Sequence, residues 1–230
     1  MWDNGDPSPT YLLRRGNYLT PGQLVGPGVP SVLTDGRTPF DVQPPWPGSK
    51  KTGRRLALAR WVTRKDSPLT ARVAVNRVWK HHFGEGLVRT LDNFGKTGER
   101  PTHPELLDWL AVCFMDHGWS VQTLHRLMMD SAVCRQSSRV TDIHTREDPE
   151  NRLLARMPLR RMEGEVLRDT LLSVSGRLNE KPFGPPDGLD ARSDGLVSAQ
   201  ADGDRRWRRS IYVLKRRTQP LTILQGFDVA

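Results

Sequence analysis

Between Ser67 and Gly84 the chain reads SPLTARVAVNRVWKHHFG, and the spacing of its apolar residues admits little other than a helix. Ala71, Val75, Val78, Trp79 and His82 recur at intervals of three and four, which places them on one stripe of an α-helix facing the core. Ser67 suits the N-cap. Pro68 suits the first helical position, where its missing N–H costs nothing, and Gly84 supplies the stop. Arg72, Asn76 and Phe83 fall on the strip beside the apolar one, and an arginine and an asparagine so placed need partners, because buried polar groups are costly unless bonded. Two readings follow. Either these residues form a polar network that holds neighbouring loops, or Arg72 and Asn76, with His81 and His82, make a ligand-binding or catalytic surface. Successive helical residues point ~100° apart, so adjacent histidines do not grip one metal ion as an i, i+4 pair does, and no metal is expected there.

Around this helix the 230 residues separate by composition into three parts. Residues 1–53 hold most of the Pro and Gly and form an extended arm, with YLLRRGN as a strand or anchor docked on the domain. Residues 54–178 form a helical core domain, opening with the amphipathic RRLALARWVT. Thr102 and Glu105 fit a capping box at the start of a helix that runs to about His117. Ser120 caps the next, which carries Val121, Leu124, Leu127 and Met128, so the pair forms an antiparallel hairpin. A helical turn is expected at Asn151 to Arg156. A longer helix from Arg160 to Gly176 turns Val166 and Leu171 inward and exposes Arg161, Glu165, Arg168 and Asp169 as a solvated charged face. Residues 179–230 are a loop, partly disordered, followed by a basic segment with a short β-like core at Ile211 to Val213. The fold expected is therefore mainly α, about five helices around Val75, Trp79, Leu107, Leu110, Phe114, Leu124, Leu127, Val166 and Leu171, with an irregular N-terminal arm and a short β-like C-terminal segment.

The loop DNFGKTGERPTHPE is polar enough that Phe94 has no folding reason to be there unless its ring plugs into the domain. If it does, Asn93 and Lys96 come near Arg72, Asn76 or His82, and with His103 they define the surface where a ligand would bind. A merely structural loop tied by the same Phe is the other reading. His125 beside the apolar stripe of its helix reads as a core-edge histidine.

With 35 Lys and Arg against 26 Asp and Glu, the formal charge is +9, a balance that favours acidic partners. The arginines are dispersed, which is the pattern of a solvated surface. Only RRWRRSIYVLKRR concentrates them, making Arg205, Arg206, Arg208 and Arg209 the candidate polyanion contacts, against the alternative of a basic-fringed edge strand. The second helix of the hairpin offers Arg126 and carries Asp130, too few cations for a recognition helix, so nucleic acid is not the expected partner. Cys113 and Cys134 read as free thiols, although a disulfide between neighbouring helices is sterically conceivable. No apolar run approaches the ~20 residues that span a bilayer, and the N-terminus shows no export signal, as would also hold for a segment of a longer secreted protein.

None of the P-loop, dinucleotide-binding, H-E-x-x-H, G-x-S-x-G or C-x-x-C-H motifs occurs, and no cofactor is expected. The residues leave open whether the chain catalyses anything.

SPLTARVAVNRVWKHHFGEGLVRT, DNFGKTGERPTHPELLDWLA, GWSVQTLHRLMMDSAVCRQSS, DPENRLLARMPLRRMEGEVLRD and RRSIYVLKRR, in this order, resemble the planctomycete-enriched domain of unknown function at the C-terminal end of large exported proteins that also carry a cytochrome-c-like domain. The resemblance runs from about Arg54 to Gln219, and TYLLRRGNYLTPGQLVGPGVPSVL resembles the segment that usually precedes it. It implies a module working outside the cytoplasm, periplasmic or at the cell surface, beside other domains of a bigger protein, with an electron-transfer or polysaccharide connection. It carries over no catalytic residues. The leading expectation is a non-enzymatic interaction or scaffold module. The alternatives are an enzyme using Arg72, Asn76, His82 and His103 on one concave surface, and a polyanion or nucleic-acid binder.

Overall fold

The computed structural model describes residues 8–34, 36–38, 40–200 and 203–227. The readings placed on residues 1–7, and on 201–202 within the expected C-terminal loop, lie outside them. The protein is mainly α with short β segments. Its helices are α1 (Arg54–Val62), α2 (Thr70–Phe83), α3 (Pro104–Asp116), α4 (Val121–Met129), α5 (Asp142–Glu147), α6 (Gly164–Val174) and α7 (Thr222–Gln225). Strands β1 (Thr10–Leu13) and β2 (Pro21–Val25) pair antiparallel, as do β3 (Leu189–Ala191) and β4 (Val197–Ala199). Among the described residues no helix is long and apolar enough to cross a membrane. The chain divides into two compact units, Met1–Pro158 and Leu159–Ala230, each described by itself.

The first unit has its core between α2, α3 and α4. Ala71, Val75, Trp79 and Phe83 of α2 pack with Leu107, Leu110, Ala111 and Phe114 of α3 and with Leu124 and Met128 of α4. The Trp79 and Phe83 rings, one turn apart, lie in contact at 4.2 Å between centroids. Leu127 is exposed, contrary to the sequence expectation, because Leu124 and Met128, a full turn apart, are the α4 residues that enter the core. Leu87 and Val88, from the chain just after α2, close the cluster.

The helix starts divide between expectation and correction. Ser120 caps α4, accepting the Thr123 N–H at 3.2 Å. Ser67 does not cap α2, which begins at Thr70. The Ser67 hydroxyl instead meets that of Thr70, which donates to Val62 O at 2.7 Å and ties the end of α1 to the start of α2. The Thr102 to Glu105 capping box is absent, since His103 occupies the N-cap position without a side-chain bond and Thr102 is engaged elsewhere. Residues 151–156 are not a helical turn. Asp148, buried, accepts the N–H groups of Arg152 (2.7 Å) and Leu153 (2.8 Å), and the Asn151 amide bonds both Arg156 O and Arg156 N–H, so side chains satisfy this backbone in place of a helix. The short helix α5 lies just before them, opened by a Thr141 and His144 capping box.

In the second unit the expectation for α6 is inverted. Val166 and Leu171, expected in the core, are 47% and 54% exposed, while Arg168, read as part of a solvated face, is 7% exposed. Gly164 is buried against α7: a Cβ there would stand 3.1 Å from Leu224 Cδ2. The strands also fall elsewhere than expected. β3 and β4 form inside the stretch read as loop, whereas Ser210–Tyr212 is a 3-10 turn and Val213 makes only an isolated bridge to Asp187.

Candidate functional site

Asn76 is wholly buried on the face of α2 that meets the chain after the helix. Its Nδ2 donates to Val88 O at 2.8 Å and its Oδ1 accepts the Val88 N–H at 2.8 Å, so one side chain pairs a backbone as a neighbouring strand would. Gly86 makes room for this, since a Cβ there would lie 2.5 Å from Val88 O and 2.8 Å from Asn76 Nδ2. One residue earlier, Leu87 O accepts the Thr102 N–H at 2.8 Å and the Thr102 hydroxyl at 3.3 Å. His103 Nδ1 stands 3.0 Å from the same hydroxyl. The start of α3 is thereby stitched to the end of α2 through a short extended segment.

The other candidates on α2 turn to different elements. Arg72 Nε donates to Asp108 Oδ1 at 2.6 Å, and its Nη1 donates to Pro68 O at 2.7 Å. The bond from the Arg72 guanidinium holds the Asp108 carboxyl below the ordinary aspartate range, against a smaller opposing effect of burial. His82 Nε2 lies 2.6 Å from His125 Nδ1 on α4 with the rings edge-on, so one ring donates and the other accepts. Arg72 thus faces α3, Asn76 the following loop and His82 the α4 helix.

The loop carrying Asn93 and Lys96 is held by its own side chains. Asn93 Oδ1 accepts the Gly95 N–H at 3.1 Å, its Nδ2 donates to Thr97 Oγ1 at 3.0 Å, and the Thr90 hydroxyl donates to Asn93 O at 2.9 Å. A Cβ on Gly98 would lie 2.0 Å from Asn93 O. Phe94 is partly buried and packs against the core cluster, and Arg77 of α2 pairs with Asp92 at 3.0 Å. Lys96 is exposed.

Within the second unit the four C-terminal arginines take four different places. Arg208 is 3% exposed. Its guanidinium donates to Phe183 O at 2.6 Å, to Lys181 O and Pro185 O, and to Asp187 at 3.2 Å, and it lies over the Tyr212 ring. Arg205 also bonds Asp187, Arg206 stacks on Trp207, and Arg209 pairs with Glu180. Arg168 of α6 completes the network by donating to Arg208 O (2.9 Å), Arg206 O (2.8 Å) and the Ser210 hydroxyl (3.1 Å). Burial lowers its pKa, while Asp169 and Asp187 pull the other way. Asp169 accepts both the N–H and the hydroxyl of Ser210. The sequence signals for this network were the arginine cluster at 205–209, read as a polyanion contact or a basic edge strand, and the charge pattern on α6, which is indistinguishable from that of a solvated helix.

Beside it runs a groove of about 610 Å³ that the sequence did not announce, walled by Val166, Ile211, Leu214, Leu221 and Leu224, with Glu165 in its lining and Lys215 to Arg217 at its side. Elsewhere, Cys113 and Cys134 are both free, and among the described residues no three His, Cys, Asp or Glu side chains converge to hold a metal ion.

A family model described as a protein of unknown function (DUF1553), PSD1, matches residues 54–230. No curated protein and no solved structure matches the chain.

Proposed function

The chain belongs to the DUF1553 family of proteins of unknown function, and from that premise we propose that it is a non-enzymatic interaction module of a larger exported multidomain protein. It works outside the cytoplasm, and its partners are other domains of the same protein, a cytochrome-c-like domain among them. The sequence blocks that resemble the planctomycete-enriched C-terminal domain support the setting. One structural observation supports the role: Asn76 and Arg72, which the sequence marked for chemistry, are engaged with the protein's own backbone and a neighbouring carboxylate. An enzyme using Arg72, Asn76, His82 and His103 needs them to present polar atoms to a substrate. Asn76 has no exposed surface and both ends of its amide bonded to Val88, and Arg72 closes on Asp108 and Pro68.

The test is lysine cross-linking of the protein in its source cells, followed by fractionation and peptide mapping. The expected result is recovery in the extracytoplasmic fraction with cross-links from this chain to other domains. Recovery in the cytoplasm, or turnover of a polysaccharide or redox substrate that is lost in an Arg72→Ala or His82→Ala protein that still folds, overturns it.

A further inference from the structure

The groove of the second unit joins an apolar wall to a basic rim. Its walls are apolar and partly open to solvent: Ile211 is 81% and Val166 47% exposed, over a floor made by Leu221 and Leu224 at 7% and 8%. Its side carries Lys215, which pairs with Glu165 at 3.8 Å, and then Arg216 and Arg217, two exposed arginines that form no ion pair among the described residues. Glu165 Oε2 is buried away from solvent and is not a contact the groove offers.

We propose that this groove docks an acidic peptide segment of another domain of the same larger protein, which places apolar side chains on Val166, Ile211 and Leu224 and carboxylates toward Arg216 and Arg217. Charge complementarity at the rim selects an acidic occupant. A fatty acid brings a single carboxylate to a rim that carries both Arg216 and Arg217, and a nucleic-acid backbone would leave the apolar wall wet. A peptide supplies apolar side chains and several carboxylates together, as in the groove-docking mode of recognition. This inference rests on the interaction-module reading and specifies the surface that does the work.

The experiment is fluorescence polarisation of the full chain with labelled peptides of about a dozen residues, a length that spans a groove of this kind: one alternating Leu and Glu, one alternating Leu and Lys, and one of Glu and Ser only. Unlabelled dodecanoate and a single-stranded oligonucleotide serve as competitors. The Leu/Glu peptide is expected to bind and the other two are not. The double charge reversal Arg216→Glu, Arg217→Glu lies at exposed positions that leave the fold intact, and it is expected to weaken binding roughly tenfold or more and to admit the Leu/Lys peptide. Failure of the Leu/Glu peptide to bind, indifference to the charge reversal, or full displacement by dodecanoate or the oligonucleotide overturns the proposal. Cross-links of the intact protein that map to partners away from residues 211–225 would sink this groove and leave the module reading standing. Absence of any partner would sink both.

Discussion

Asn76 and Val88, twelve residues apart, meet through two 2.8 Å hydrogen bonds in which a side-chain amide stands in for a second strand. Both residues are buried, Asn76 completely. Replacing Asn76 with Ala strands the N–H and C=O of Val88 away from water and is expected to destabilise the first unit by about 2–4 kcal/mol, the cost of leaving two buried polar groups unpaired. Asn76→Asp keeps the acceptor for Val88 N–H but faces Val88 O with a second acceptor, and it is expected to be no better than Ala at neutral pH. Urea denaturation checks both, and a cost below about 1 kcal/mol for Ala would show that the latch is dispensable.

Gly86 is a companion to that latch rather than a hinge. A methyl at this position would lie 2.5 Å from Val88 O and 2.8 Å from Asn76 Nδ2, and because the first of these is backbone, the conflict is not relieved by a rotamer change. Gly86→Ala is expected to cost roughly 1–3 kcal/mol. Since it acts partly by displacing the Asn76 amide, the double variant with Asn76→Ala should cost less than the sum of the two, and strict additivity in a double-mutant cycle would contradict that coupling.

The Arg72 and Asp108 pair predicts a small, acid-sensitive contribution. Asp108 titrates below its ordinary value because it accepts the Arg72 bond, so the pair's stabilisation is fully present above the unfolded aspartate pKa of about 3.9 and is lost as pH falls through the lower folded value. The Asp108 side chain is 55% exposed, and solvent screening limits the effect to about 1 kcal/mol or less at pH 7. Asp108→Asn should therefore differ slightly from the parent at pH 7 and converge with it once the pH has fallen through the lowered Asp108 value. A gap that widens as the solution is acidified would reverse the sign of this account.

Arg208 is the densest hydrogen-bond donor of the second unit, and Asp187 beside it is equally buried. Arg208→Ala removes one partner of a buried ion pair, leaves three carbonyls without this donor and leaves Asp187 with Arg205 alone, an expected loss of about 3–5 kcal/mol. Hydrogen exchange should report it as faster exchange of the Asp187 and Leu214 amides, whose N–H groups bond Tyr212 O and Asp187 O. Unchanged protection there would place the stability of this region in its apolar contacts instead.

Phe94 packs against the core of the first unit while the rest of its loop is held by local Asn and Thr bonds. Phe94→Ala is expected to cost about 1–3 kcal/mol, reduced from the usual core figure because the ring is only partly buried. Trypsin cleavage after Lys96 should quicken by a larger factor than cleavage elsewhere. Equal acceleration at all sites would indicate general destabilisation, not release of this loop.

The periodic stretches settled much of the fold from sequence. Helices α1 to α4 and α6 were readable because apolar residues at three- and four-residue spacing mark a helix, although only in α2, α3 and α4 is the marked stripe the face that enters the core, and Ser120 caps because its hydroxyl reaches an N–H only three residues on. The plug at Phe94 was legible for the same reason, a large ring that a polar loop does not keep in water. What the tertiary structure decided is where each polar side chain finds its partner. Asn76 with Val88, Thr102 with Leu87, and Arg168 with the carbonyls of Arg206 and Arg208 join residues between twelve and forty positions apart, and the residue types at those positions are compatible with solvent, ligand or backbone alike. The alternating charges of α6 illustrate the limit. They read as a solvated face, and only the return of the chain at Arg206 to Ser210 buries Arg168 and turns Val166 outward into a groove. Periodicity fixes which residues share a face, and long-range chain return fixes what that face meets.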